Sequence, residues 1–247
     1  MKPLLSLNNL HAKVEDKDVL RGVTLTIQPG ELHVLMGPNG SGKSSLALTL
    51  FGHPRYTVTD GTITLDGTAI QTLPTHERAR LGMFLSFQHP AAIPGVTVAN
   101  IARTAARNMA GANAVDAKTF RGRLTSVLDE LELSETFLER SVNDGFSGGE
   151  MKKSEMLQAG AIEPKLLVLD EPDSGLDIDA LRKIAAMINK LRTADRGILL
   201  ITHYRRLLDH LKPTAVHVFM AGAIVRSGGA EVAEELEKTG YQSAPSA

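Results

Sequence analysis

Two rhythms of apolar residues divide the chain. Leu4 to Leu10, Val23 to Ile27 and Thr62 to Leu65 alternate apolar with polar positions over short lengths, the last run following Asp60-Gly61. A period of two lays one face of a strand on a core and turns the other outward, so these segments predict an antiparallel β layer. Leu32 to Met36, Met83 to Leu85, Leu166 to Leu169 and Ile198 to Ile201 are apolar throughout. Short continuous runs of this kind fit the buried strands of a sheet covered by helices.

Helical spacing lies between them. Leu124, Val127, Leu128 and Leu131 follow i, i+3, i+4, i+7, and Leu181, Ile184, Ala185, Ile188 and Leu191 share one face. Both sets predict amphipathic helices. The first belongs to a stretch from about Val96 to Ala161 that reads as a helical lobe, with one helix from about Met151 to Ala161. The second separates two buried strands, which predicts a parallel sheet with right-handed crossovers and a ligand at the strands' carboxyl ends. Ala215 to Met220 and Ala223 to Val225, divided by Gly222, predict a terminal hairpin, and the small and polar run Gln242 to Ala247 is expected to fray. The expected fold is α/β: residues 1–88 and 162–247 form a mixed-sheet core with an antiparallel β layer, and 89–161 form an inserted helical subdomain.

Composition narrows the function. The 247 residues carry 27 Lys+Arg against 28 Asp+Glu, for a net charge of −1, and only 4% are aromatic. Neither a basic footprint nor stacking platforms for nucleic acid are present. There is no cysteine, which excludes disulfides, thiolate-bound zinc and any iron-sulfur cluster held by this chain's own thiolates. No apolar run approaches the roughly 20 residues of a membrane span, and Asn8, Asn9 and His11 break any leader-like segment at once. A cytoplasmic protein is expected.

The chemistry begins at Gly37-Pro38-Asn39-Gly40-Ser41-Gly42-Lys43-Ser44, directly after an apolar strand. Small residues let backbone N–H groups wrap phosphates, Lys43 neutralises their oxygens, and the Ser44 hydroxyl suits Mg²⁺. Asp170-Glu171 ends another apolar strand, which suits a carboxylate in the metal shell beside one that orients or deprotonates water. His203 follows the strand Ile198 to Ile201 and is placed to hydrogen-bond the γ-phosphate. Phe146-Ser147-Gly148-Gly149-Glu150 precedes a helix and offers a second anion-binding helix start.

In this order the motifs resemble the ABC-type ATPases: Walker A at Gly37 to Ser44, the Q-loop Gln88, the signature Phe146 to Glu150, Walker B at Asp170-Glu171, the D-loop Ser174 to Asp177 and the switch His203. The resemblance implies an ABC-type P-loop fold and Mg²⁺-dependent ATP hydrolysis in a transient head-to-tail dimer. ATP would lie between residues Gly37 to Ser45 of one copy and Ser147, Gly148, Gly149 and Asp177 of the other. Ser44, Gln88 and Asp170 would surround Mg²⁺, and Glu171, His203, Gln88 and Lys43 would act in catalysis. Lys152-Lys153 after the signature, the run Asp173 to Leu181, and Lys212-Pro213 further resemble the SufC family, ATPases of the SUF iron-sulfur assembly system. That likeness implies soluble partners of the SufB and SufD type, with the nucleotide-binding subunit of a membrane transporter as the alternative.

Two positions depart from the wider ABC pattern. Val14 stands where an aromatic commonly stacks on adenine, and Glu150 stands where transporter signatures carry Gln, with Lys152 and Lys153 expected to match its charge. The segment Ala91 to Val98 is expected to form a partner surface through Ile93, Val96 and Val98, since it follows Gln88 directly.

Overall fold

The computed structural model describes residues 2–110, 116–203 and 205–241. The chain opens with the antiparallel pair β1 (Leu5–Val14) and β2 (Lys17–Ile27). It then enters the fully buried strand β3 (Leu32–Met36), which leads into helix α1 (Lys43–Leu50). β4 (Tyr56–Leu65) returns beside β1 and β5 (Thr68–Ala69) follows, so the first sheet has the order β2-β1-β4-β5. These strands run past the alternating segments of the sequence because ladder pairing continues through polar residues, as in Val14↔Tyr56.

After α2 (Thr75–Arg80) comes β6 (Met83–Ser86), then β7 (Ile93–Thr97), α3 (Val98–Ala110), α4 (Ala117–Leu131), β8 (Ser141–Val142) and α5 (Gly148–Ile162). β9 (Leu166–Asp170), α6 (Ile178–Leu191), β10 (Gly197–Ile201), α7 (Arg205–Leu208), β11 (Ala215–Met220), β12 (Ala223–Gly228) and α8 (Ala230–Thr239) complete it. The second sheet has the order β12-β11-β3-β10-β9-β6. All its neighbours are parallel except β11 and β12, the antiparallel hairpin at its edge. The central sheet separates two apolar cores. Leu32, Val34 and Met36 of β3 face the helices, while Leu35 faces α1 and the antiparallel layer, the alternation a strand covered on both sides requires.

The stretch expected to be helical from Val96 contains strands. β7 pairs with β8 through Ile93↔Val142 and Thr97↔Ser141, and Pro94-Gly95 suits an edge strand and not a helix interior. α5 starts three residues before the expected Met151. Ser147 accepts from Glu150 N while the Glu150 carboxylate accepts from Ser147 N, a capping box that recruits Gly148 and Gly149 into the first turn. α8 lacks a sequence expectation; its Val232, Ala233 and Leu236 close the helix-side core. The segment Gln242 to Ala247 lies outside the described residues.

Candidate functional site

The phosphate-type loop is fixed by close backbone approaches. A Cβ on Gly37 would lie 2.1 Å from the Phe219 carbonyl oxygen, so only glycine lets β3 leave the sheet beside β11. Gly42 has φ +107° and sits against the Val19 carbonyl, where any side chain would be strained. It is the N-cap of α1 and contributes no side-chain acceptor, so the first-turn amides of that helix face the loop with their partial positive charge. Lys43 Nζ donates to Gly37 O at 2.8 Å and Pro38 O at 3.0 Å. Burial draws its ammonium pKa below the usual lysine value, while Glu171 and Asp170 oppose that shift.

Asp170 closes β9 inside the molecule, and burial raises its carboxyl pKa despite a hydrogen bond with the Ser44 side chain. Asp170 Oδ1 and Ser41 Oγ are buried with no hydrogen-bond partner. Glu171 follows in a left-handed backbone conformation at φ +50°, and its N–H donates to Ile201 O at 2.9 Å. A non-glycine residue held there carries backbone strain that its surroundings must offset. The carboxylate is hydrogen-bonded on one side and faced by an imidazole on the other. Gln88 Nε2 donates to Oε2 at 2.7 Å, and His203 Nδ1 lies 3.2 Å from Oε1. Beneath them Thr202 Oγ1 donates to Asp173 Oδ2 at 2.7 Å, and burial raises the Asp173 pKa.

A cleft of about 530 Å³ joins these parts. Asn39 to Ser45, Gln88 and Glu171 line it together with Val14, Val19 and Arg21. Gly37, Pro38, Asp170 and His203 do not line it but contact residues that do: Gly37 and Pro38 accept from Lys43, Asp170 is hydrogen-bonded with Ser44, and His203 lies beside Glu171. Ser147, Gly148, Gly149 and Asp177 do not line it. Asp177 Oδ1 instead caps α6 by accepting from Ala180 N at 2.7 Å.

Glu150 departs from expectation. Its charge is matched by Arg140, which also stacks over Phe146 and Phe137, and neither Lys152 nor Lys153 pairs with it. The Arg140 contact and the capping bond hold the Glu150 carboxyl below its ordinary pKa. Ser86, Glu155 and Thr202 also bond beside the site without a role in the sequence reading, and Lys152, expected to match Glu150, turns to the backbone of Phe87 and Gln88 instead. Their signal was faint: an acid at Glu155 with Lys152 three residues before it, the spacing of neighbours on one helix face.

A parallel sheet that delivers a phosphate-type loop, Asp170-Glu171 and His203 to one edge defines a nucleotide-hydrolysing cassette. The family model described as ABC transporter matches residues 20–174, and the chain belongs to this family of ATP-binding, ATP-hydrolysing proteins. It is 47% identical to "Vegetative protein 296" of Bacillus subtilis (strain 168), over 96% of this chain and 91% of that protein. It is 46% identical to "Probable ATP-dependent transporter ycf16" of Antithamnion sp., over 96% of each. Among solved structures it superposes on one described as "Structure of ATP binding subunit of ABC transporter", with TM-score 0.80 and 25% identity over 98% of this chain and 95% of that one. The fold is also that of a dimeric cassette solved in a post-hydrolysis state with ADP and Pi, at TM-score 0.77 and 24% identity over 91% and 98% of the two chains.

Proposed function

We propose that this ATPase works as a head-to-tail pair that turns nucleotide-driven closure into a conformational change in a soluble SufB–SufD-type scaffold during iron-sulfur cluster assembly. Glu171 orients and deprotonates the attacking water. Gln88 bonds its carboxylate, His203 flanks it and both meet the γ-phosphate, while Lys43 and the amides of Gly37 to Ser45 bind the phosphates. Ser44, the unpartnered Oδ1 of Asp170 and the amide oxygen of Gln88 offer hard oxygens of the kind Mg²⁺ prefers and would hold the ion. When bound, that ion neutralises charge on the β- and γ-phosphates.

Pairing is supported by glycines that no described residue requires. A Cβ on Gly148 would meet no described atom within 4 Å, and one on Gly149 would meet only Leu176 at ordinary contact distance. Glycine at an exposed helix start weakens the helix, so its smallness serves something that approaches from outside. In this reading it is the nucleotide on the loop of a second copy, joined by Ser147 and by Asp177.

The observation that carries coupling to a partner is an apolar patch continuous with Gln88. Phe87 is 47% exposed, Ile93 38% and Val96 36%, and Phe87 and Ile93 line one groove with Ala91, Ile101 and Val142. Val98, expected on this surface, is fully buried instead, because it opens α3 and packs into the helix-side core. The SUF assignment rests on the sequence likeness described above; it agrees with the absence of cysteine, which leaves cluster ligands to partners, and implies a cytoplasmic protein. Among the described residues no helix is long and apolar enough to cross a membrane.

The description of a relative as an ATP-dependent transporter favours a second reading, the ATP-binding subunit of a membrane transporter. Affinity purification of the tagged chain with mass spectrometry separates them: soluble scaffold proteins are expected, and an integral permease would replace the first reading with the second. Ile93→Asp with Val96→Asp should abolish that co-purification while circular dichroism and thermal midpoint stay unchanged. Retained binding would remove the patch from the interface.

A further inference from the structure

Lys152 and Glu155 lie on α5, the helix that Ser147 caps, yet both reach the strand end that carries Gln88. Glu155 Oε2 accepts from Ser86 Oγ at 2.8 Å, and Oε1 accepts from Phe87 N at 2.7 Å. Lys152 Nζ donates to Phe87 O at 2.7 Å and to Gln88 O at 3.2 Å, and stands 3.5 Å from Glu155 Oε2. The two side chains are only 5% and 6% exposed. Burial raises the Glu155 pKa, against the pull of Lys152.

A buried ion pair is weak grounds for stability, because desolvation offsets the Coulomb attraction and apolar side chains of equal volume commonly serve as well. What the pair supplies is geometry. Its hydrogen bonds fasten three consecutive residues, Ser86 to Gln88, to one helix, and the next bond outward runs from Gln88 Nε2 to Glu171.

We propose that Lys152 and Glu155 are positioning residues that seat Gln88 on Glu171, so that the placement of α5 sets the reactive carboxylate of the same chain. The idea rests on the function proposed above. Ser147 to Gly149 begin this helix within about two turns of the pair. A nucleotide held by the second copy touches those residues, and this chain's own site registers it through the Lys152–Glu155 clasp. Each site is thereby informed of the other's occupancy without a contact between the two nucleotides.

Mixed pairs test the assignment. One copy carries Glu171→Gln, so turnover comes from the other, whose site is completed by Ser147 to Gly149 of the Glu171→Gln copy. The clasp is replaced by Lys152→Met with Glu155→Leu, which keeps its volume, and by Glu155→Gln alone as a milder variant should the double one fail to fold. Placed on the copy with the intact Glu171, the change should lower turnover about ten- to a hundred-fold, with the ATP dissociation constant held within about two-fold. Placed on the Glu171→Gln copy, it should leave turnover unchanged. Equal or greater loss in the second arrangement would mean that the clasp only supports the signature helix, and the proposal falls. It falls equally if the first arrangement shows no loss. Unmodified copies that never pair on ATP would overturn the pairing reading and this inference with it.

Discussion

Glu171→Gln should hold ATP and all but stop releasing phosphate, with turnover lower by roughly a hundred- to ten-thousand-fold, the range for losing a general base. The substitution keeps the shape of a side chain that Gln88 bonds and His203 flanks, and an amide oxygen still accepts from Gln88 Nε2. Proton acceptance is lost, and one negative charge disappears from beside the phosphates. ATP binding should therefore persist or tighten, and ATP should shift the variant to a species of twice the mass in size-exclusion chromatography with light scattering. Near-normal phosphate release would move the base elsewhere in the cluster, and a trapped form that keeps ATP as a single copy would remove the head-to-tail arrangement.

How much of this was legible in the sequence depends on whether a residue's role is local. β3, β9 and β10 were readable because strands buried on both faces must be apolar throughout. The phosphate-type loop was readable because its glycines answer to backbone contacts at fixed spacing. The Glu150 pairing was not. Lys152, two positions on, points away from Glu150 and inward to Phe87 and Gln88, while Arg140, on the chain segment before the helix, takes the Glu150 ion pair and Lys153, three positions on, feels its charge without bonding it. Val98 was misassigned for a related reason: β7 reverses the chain's exposure just before α3 starts, and no local pattern marks that point. The clasp on Gln88 joins residues nearly seventy positions apart, so only the packed α5 brings it into view.

The sheet beside the loop contains a buried polar chain with no place in the proposed chemistry, and it makes the fold sensitive to acid. His33 Nδ1 and His217 Nε2 are 3.0 Å apart on neighbouring strands β3 and β11; Glu31 lies 3.0 Å from His33 Nε2, and Ser227 2.7 Å from His217 Nδ1. Burial lowers the pKa of His33, Glu31 opposes that, and Arg192 adds to it. Burial and the neighbouring His33 bring His217 down from 6.5 to about 4. Because its folded pKa lies below the unfolded one, the unfolded chain takes up the proton first as pH falls. The stability linked to His217 is thus complete above about pH 6.5 and is lost progressively toward pH 4, by about 2 kcal/mol on reaching pH 5. Asp170, Asp173 and Glu155 act in the opposite sense, since their raised pKa values let the folded chain bind protons earlier than the unfolded one. The wild-type acid curve therefore mixes both signs, and the difference from His217→Gln isolates the histidine. Urea denaturation at pH 7.5 and pH 5 should show the wild type losing about 2 kcal/mol more than the variant over that interval. Equal losses would mean that the imidazole accepts its proton without leaving the sheet, and that the chain from Glu31 to Ser227 tolerates a positive charge at its centre.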